Sequence, residues 1–250
     1  MRFSQGNLQY NAAQNDWRFA EHQYDMIGAA NANIASDYDG YIDLFGWGTS
    51  GYNGKNPWMT STTQTDYGDG ANDIAGTEYD WGVHNAISNG GNEAGKWRTL
   101  TKAEWEYIVR GRADDDILFA TGSVDGVNGL ILLPDDWALP EGATFTPSTQ
   151  KNLIFSSDGY YNSNEDNFSH NTYTLDQWNT MEQAGAVFLP AVGYRDGTTV
   201  SSSDFAHYWS TTQNGIYAAY YMNVSKLSVA PKNQLSRKYG LGVRLVRDTE

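Results

Sequence analysis

The sequence predicts an α+β fold built from many short strands, two main helices and long ordered loops. Aromatic residues make up 14% of the 250-residue chain and glycine occurs 26 times, a mixture typical of short strands and turns. Only two segments combine a helix start signal with apolar residues at helical spacing. The other apolar runs are of strand length, and we expect residues 1–250 to form one domain.

Both helices are predicted from a capping box. In this motif the N-cap residue and the residue three positions later each accept, through a side-chain oxygen, a hydrogen bond from the other's backbone amide. The predicted ranges are 102–110 and 175–183, the second ended by Gly185. The capping pairs are Thr101 with Glu104 and Thr174 with Gln177. The side chains expected on the buried faces are Trp105, Ile108, Val109, Trp178 and Met181.

Short strands and packed loops account for the remaining order. The first 24 residues predict a hairpin whose runs are Phe3, Leu8, Tyr10 and Trp17, Phe19, Tyr24. Later strands are expected at Gly129–Leu133, Ala186–Val192, Tyr208–Thr211, Ala218–Val224 and Gly242–Val246. Residues 28–80 are polar and rich in glycine, but spaced aromatic residues indicate that this long loop is packed down: Trp47, Tyr52, Trp58, Tyr67, Tyr79 and Trp81.

Charge and composition exclude several classes of function. The net charge of −14 argues against binding the phosphate backbone of nucleic acid. The absence of cysteine excludes disulfides, thiolate nucleophiles and Cys-ligated zinc. No apolar run approaches the length of a membrane span. Residues 201–250 carry 6 basic and 3 acidic side chains, so this last segment differs from the acidic remainder and is a candidate contact surface for a partner.

The segment W-R-T-L-T-K-A-E-W-E-Y at residues 97–107 resembles the R-L-P-T-E-A-E-W-E-Y segment of formylglycine-generating (sulfatase-modifying) enzymes. The closing G-L-G-V-R-L-V at residues 240–246 is similar to their G-F-R-L-V strand. A-V-F-L-P at residues 186–190 and Y-W-S-T-T at residues 208–212 match in order. The resemblance implies a C-type-lectin-like fold of the formylglycine-generating subtype.

A second likeness extends over nearly the whole chain. The blocks D-L-F-G-W-G-T-S-G at residues 43–51 and G-L-I-L-L-P-D-D-W at residues 129–137 resemble a large paralogous set from gut anaerobes and their temperate phages. Some members of that set resemble variable proteins of diversity-generating retroelements. In those proteins adenine-directed mutagenesis rewrites codons near the C-terminus, and the lectin-like scaffold displays the altered side chains to a ligand.

The resemblance places the variable, ligand-binding segment at residues 207–239. Tyrosine supplies amphipathic contact area at small rotamer cost, and asparagine and serine supply adaptable hydrogen bonds. The expected ligand-binding residues are Tyr208, Ser210, Asn214, Ile216, Tyr217, Tyr220, Asn223, Lys226, Lys232, Asn233, Gln234 and Tyr239. Trp209, Val243 and Leu245 are expected in the core, and Arg244 and Arg247 in the framework. One face of residues 218–224 is expected to be core, with the choice of face left open.

The function expected from these features is non-enzymatic binding of a protein or glycan ligand on a cell surface. The expected location is extracellular, on a cell surface or a phage virion, although no signal peptide is visible, and the chain is interpreted as a domain excised from a larger surface or phage-fibre protein. We expect no nucleic-acid partner and no membrane span. Association into oligomers is left open.

Two alternatives stay open at this point. The first is a metal-dependent enzyme of the same fold, although the copper-binding cysteine pair of formylglycine-generating enzymes is absent and the four histidines show no short ligand spacing. The second is an invariant structural or adhesin module. No cofactor is required, no catalytic residue is assigned, and a structural calcium ion is an open alternative because residues 162–167 are dense in side-chain oxygen.

Overall fold

The computed structural model describes residues 1–112, 117–148, 161–162, 168–201, 204–225 and 228–249. The α+β class is confirmed: short strands in several sheets dominate, with few helices. The helices are α1 (Trp81–His84), α2 (Lys102–Glu106) and α3 (Leu175–Gln183). The strands are β1 (Arg2–Phe3), β2 (Leu8–Asn11), β3 (Asp16–Phe19), β4 (Tyr41–Ile42), β5 (Arg98–Thr99), β6 (Phe119–Val124), β7 (Val127–Leu132), β8 (Tyr161–Asn162), β9 (Thr172–Tyr173), β10 (Val187–Pro190), β11 (Tyr194–Asp196), β12 (Thr199–Ser201), β13 (Ala206–Asn214), β14 (Ala218–Ser225), β15 (Ser228–Ser236) and β16 (Leu245–Arg247).

The described residues form five sheets, in the orders β1-β16-β5, β10-β7-β6-β9, β11-β12, β13-β14-β15-β8 and β3-β2-β4. Neighbouring strands are antiparallel except for β6 and β9. The predicted hairpin is confirmed in β2 and β3, where Tyr10 pairs with Trp17. Phe3 was wrongly placed in that hairpin, because β1 pairs with the C-terminal β16 and sets Phe3 opposite Val246. Tyr24 lies beyond the hairpin, outside any strand.

Both predicted helices form with their capping boxes. α3 has the predicted bounds, and Thr174 and Gln177 bond each other's backbone amides. α2 is shorter than predicted, because the chain changes from α-helical to π-helical hydrogen bonding over Tyr107–Gly111. The side chains expected on the buried faces are indeed buried: Trp105, Ile108, Val109, Trp178 and Met181.

The cap of α3 supports a simple stability prediction. Replacing Thr174 with alanine removes the acceptor for the Gln177 amide, and we expect the free energy of unfolding to fall by about 1 kcal/mol. Thr180→Ala is the control, because Thr180 lies in the exposed middle of α3, where alanine is the better helix former. Urea denaturation of both variants measures the difference. Equal stabilities would contradict the role of the cap.

Within the part of the chain that the structure describes, buried side chains form three clusters. The helix-side core packs beneath α2, and the aromatic core lies beneath the long loop of residues 28–80. The third cluster surrounds Trp178 of α3. Representative helix-side residues are Trp105, Ile108, Tyr208, Met222 and Val224. Representative aromatic-core residues are Trp17, Phe45, Trp47, Trp81, Trp209 and Tyr221.

The long loop is packed as predicted at Trp47, Tyr67 and Trp81, which are fully buried. Tyr52 differs, since it is 40% exposed and contacts Tyr79 and His84 edge-on. Close approach of backbone to ring explains why the loop needs glycine. A Cβ on Gly68 would lie 2.2 Å from the Trp47 ring, and the residue has a positive φ of 66°.

Candidate binding surface

The segment predicted to bind a ligand forms the antiparallel meander β13-β14-β15. Tyr208 pairs with Met222 and Trp209 with Tyr221 between β13 and β14. Tyr220 pairs with Gln234 between β14 and β15. Paired residues share a face, so this register decides which candidate side chains lie together.

Each face of β14 is core over only half of its length. Ala219 and Tyr221 point into the aromatic core, whereas Met222 and Val224, on the opposite face, point into the helix-side core. The expectation of a single core face is therefore wrong, because the meander lies between two cores that are offset along the strands. Among the predicted contact residues of β14, Tyr220 is half-buried on the helix side and Asn223 is half-buried on the aromatic side.

Tyr208 and Ser210 are corrected from ligand-binding to structural residues. The Tyr208 side chain is fully buried, and its hydroxyl donates to the Pro190 carbonyl oxygen at 2.8 Å. Burial raises the pKa of Tyr208 far above its usual value. The Ser210 hydroxyl is also buried and donates to the Tyr220 carbonyl oxygen at 2.8 Å. Neither side chain reaches the surface.

The turn between β13 and β14 carries the most prominent apolar exposure. Tyr217 is 60% exposed, the largest value among the large hydrophobic residues that the structure describes, and Ile216 beside it is 39% exposed. Gly215, with a φ of 69°, closes the turn in a conformation that favours glycine. Both predicted contact residues of this turn are therefore accessible.

A buried arginine holds this turn from below. The Arg237 guanidinium donates to the carbonyl oxygens of Gly215 at 2.8 Å and Ala218 at 3.2 Å. It also donates to Gly70 at 2.7 Å and stacks on the Trp47 ring, 4.2 Å from its centroid. Burial lowers the pKa of Arg237 to about 10, so the group stays charged at neutral pH. The role of Arg237 was not predicted from the sequence, because no local pattern reveals which carbonyl oxygens its side chain reaches.

A polar patch continues from the turn onto the helix side. Asn214 donates to the Gln234 side-chain oxygen, and the Tyr220 hydroxyl donates to Asn214 at 3.4 Å. The Lys102 ammonium lies 4.6 Å from the Tyr220 ring centroid. Lys232 lies 3.9 Å from the Glu106 carboxylate at the edge of the patch. We call the turn and this patch the display surface, defined by Asn214, Ile216, Tyr217, Tyr220, Lys232 and Gln234.

The other candidates lie on the aromatic side of the sheet and belong to a separate surface. Asn223 accepts a hydrogen bond from His207 at 2.8 Å, and Asn233 shares this face because it pairs with Tyr221. Tyr239 contacts Tyr194 edge-on. Burial lowers the pKa of His207 to about 4, so the ring is neutral at pH 7. The sheet thus divides the predicted residues between two surfaces.

The remaining predictions concern ions, membranes and one lysine. Lys226 and residues 163–167 of the calcium hypothesis lie outside the described residues. Among the described residues, no group of three His, Asp or Glu side chains could hold a metal ion. Within the same part of the chain, no helix is long and apolar enough to cross a membrane.

Trp209, Val243 and Leu245 are fully buried, which confirms their expected place in the core.

Comparisons with known proteins return no relative. No family model matches the chain, and neither a curated protein nor a solved structure is similar to it.

Proposed function

We propose that this protein is a non-enzymatic display protein that binds a protein or glycan on a cell surface through its display surface. The observation that carries the proposal is the exposure of Tyr217 on a turn whose backbone is held by a buried guanidinium. Tyrosine is one of the residue types enriched among those that contribute most to the binding energy of interfaces.

The support of the turn favours binding for an energetic reason. Ordering a flexible loop on binding costs free energy, and a loop that is already ordered avoids that cost. Arg237 bonds the backbone on both sides of Ile216 and Tyr217, so their side chains project from a fixed frame. Such a frame tolerates changes in the displayed side chains because its contacts are to backbone atoms.

The finer fold and the genetic context are part of this proposal. We infer a C-type-lectin-like fold of the formylglycine-generating subtype, located on a cell surface or phage virion, with a segment diversified by a retroelement. The sequence blocks at residues 43–51, 97–107 and 240–246 support it. The separation of exposed from buried side chains adds a constraint, because only exposed positions can vary without damage to the core.

The coding DNA tests the diversification. We expect a near-identical template repeat and a reverse-transcriptase gene nearby, with adenine-directed differences at the codons of the display surface, such as Asn214, Tyr217 and Tyr220. The codons of Tyr208 and Arg237 should match the template, because these side chains are fully buried. A neighbourhood without a template repeat, or differences concentrated at the buried codons, would remove the retroelement from the proposal.

Binding is tested directly with a Tyr217→Ser variant. Wild type is screened on arrays of bacterial and mucin glycans and on intact gut-bacterial cells, and the best binder is titrated. We expect affinity to fall at least about tenfold in Tyr217→Ser, since central aromatic contacts contribute about 2 kcal/mol or more. Tyr52→Ser is the matched control, as Tyr52 is 40% exposed on the long loop and is not one of the display-surface residues.

Two results would contradict the proposed function. One is equal loss of affinity in both tyrosine variants, which would mean that the display surface has no special role. The other is stoichiometric iron or copper in the purified protein together with turnover of a substrate, which would favour a metal-dependent enzyme instead.

A further inference from the structure

A groove of about 880 Å³ lies where the two ends of the chain meet. Strands β1 and β16 form one side, and the loops around Gly90 and Pro134 form others. Its apolar lining includes Phe3, Phe19, Trp97, Ile108 and Leu132. The volume falls within the range of small-molecule sites. None of the display-surface residues lines it.

Most of the unpaired lysine and arginine side chains in the described part of this acidic protein line the groove. Among the Lys and Arg side chains that the structure describes, four make neither a hydrogen bond nor an ion pair. Three of these, Arg2, Lys96 and Arg247, line the groove. The fourth is Lys102, which lies against the Tyr220 ring. The chain has a net charge of −14 and 30 acidic residues that could pair with cations. Three unpaired cations lining one groove therefore make it a local positive region on an acidic protein.

Strand register forces two of these cations together. Arg2 in β1 lies directly opposite Arg247 in β16, so both side chains project from the same face of the sheet. Like charges at directly opposed positions repel and destabilise a sheet. The Arg247 guanidinium lies 5.2 Å from the Trp97 ring centroid, a contact that orients the group without neutralising it.

The acidic residues of the same groove are mostly engaged elsewhere. Asp135 lies 3.3 Å from Arg112 and accepts a hydrogen bond from Tyr107 at 3.1 Å. Glu182 accepts a hydrogen bond from Gln23 at 2.7 Å. Asp136 is exposed beside Asp135 at the rim. In the described part of the chain, no carboxylate lies within ion-pair distance of Arg2, Lys96 or Arg247.

We propose that this groove is a second binding site, which takes a ligand bearing a carboxylate or sulfate group through Arg2, Lys96 and Arg247. An oxyanion between the opposed arginines would convert their repulsion into charge-assisted hydrogen bonds. The apolar walls accommodate the body of the ligand, such as the ring of an acidic sugar. The site is independent of the display surface, so either proposal can fail alone.

The test is isothermal titration calorimetry of the full chain with three probes of similar size. These are an oligogalacturonate for carboxylate, a sulfated oligosaccharide for sulfate, and maltohexaose as the neutral probe. We expect one or both charged probes to bind and the neutral probe not to bind. The Arg2→Ser/Lys96→Ser variant should lower the affinity for the charged probe by at least about tenfold. Lys55→Ser, a charge change outside the groove, should leave it unchanged.

Thermal stability separates binding from a structural role. Removing Arg2 relieves the repulsion across the β1-β16 pair, so the double variant should unfold at the same temperature as wild type or higher, while losing affinity. Equal binding of neutral and charged probes, retention of affinity in the double variant, or no binding of any probe would each overturn the proposal. The display-surface variant Tyr217→Ser should bind the charged probe as wild type does.

Discussion

Replacing Arg237 with alanine should lower the free energy of unfolding by roughly 3–5 kcal/mol. Its guanidinium donates to four backbone carbonyl oxygens, those of Tyr67, Gly70, Gly215 and Ala218. A buried acceptor left without a donor costs about 1–3 kcal/mol, and the lost stacking on Trp47 leaves a cavity as well. Relief of the desolvation of the buried charge offsets only part of this loss.

Chemical denaturation measures the global effect, and hydrogen exchange measures the local one. Relative to wild type, Arg237→Ala should speed amide exchange more at residues 214–218 than in β10, because the variant releases the turn first. Arg18→Ala is the control, since the half-buried Arg18 donates to the Gln9 side chain and lies over the Tyr41 ring, so its loss leaves no buried backbone carbonyl without a donor. A loss below 1 kcal/mol in Arg237→Ala, or equal losses in the two variants, would show that the turn does not depend on this anchor.

Acidification should act on two buried aspartates and one buried histidine in opposite directions. Burial raises the pKa of Asp43 and of Asp80 from 3.8 to about 6. Burial lowers the pKa of His207 from 6.5 to about 4. All three side chains are at least nine-tenths buried, so solvent screens these effects little.

The sign follows from which state binds the proton first. Below pH 6 each aspartate is protonated in the folded protein, whereas in the unfolded chain it is protonated only near pH 3.8. Protonation of these two groups therefore raises the free energy of unfolding as the pH falls. His207 is protonated in the unfolded chain near pH 6.5 but in the folded protein only near pH 4, so it loses stability over that window. Each effect is on the order of 3 kcal/mol when complete.

Denaturation curves between pH 7 and pH 4 for single variants separate the groups. Relative to wild type, His207→Gln should become more stable by about 3 kcal/mol as the pH falls. Asp43→Asn should lose a similar amount relative to wild type over the same range. Asp37→Asn, which removes a carboxylate at an exposed position, is the control. Parallel curves for all variants would contradict the buried pKa shifts.

Local signals in the sequence were sufficient for several elements. The capping boxes at Thr101 and Thr174 predicted where α2 and α3 begin, since such a box involves residues only three positions apart. The buried aromatic residues of the long loop were recognisable at Trp47, Tyr67 and Trp81. The end of α2 was missed, because the change to π-helical bonding over Tyr107–Gly111 has no comparable local signature.

The candidate site was only partly predictable. The sequence drew attention to the turn with Ile216 and Tyr217 because aromatic and amide residues surround it, and the structure shows both side chains exposed. It wrongly included Tyr208, whose burial depends on Pro190 and on Asn7, a residue 201 positions away in the sequence. The groove was not foreseen at all, since Arg2 and Arg247 become neighbours only when the two ends of the chain pair.

The sequence by itself determined the α+β class, the starts of two helices and the aromatic, acidic, cysteine-free character of the chain. Tertiary structure alone decided which face of each strand is covered, which arginines lie under the turn and which cations are left without partners. The physical reason is the distance along the chain over which each kind of interaction acts. Caps and turns act over a few residues, whereas burial and charge pairing depend on contacts between segments that the order of residues does not specify.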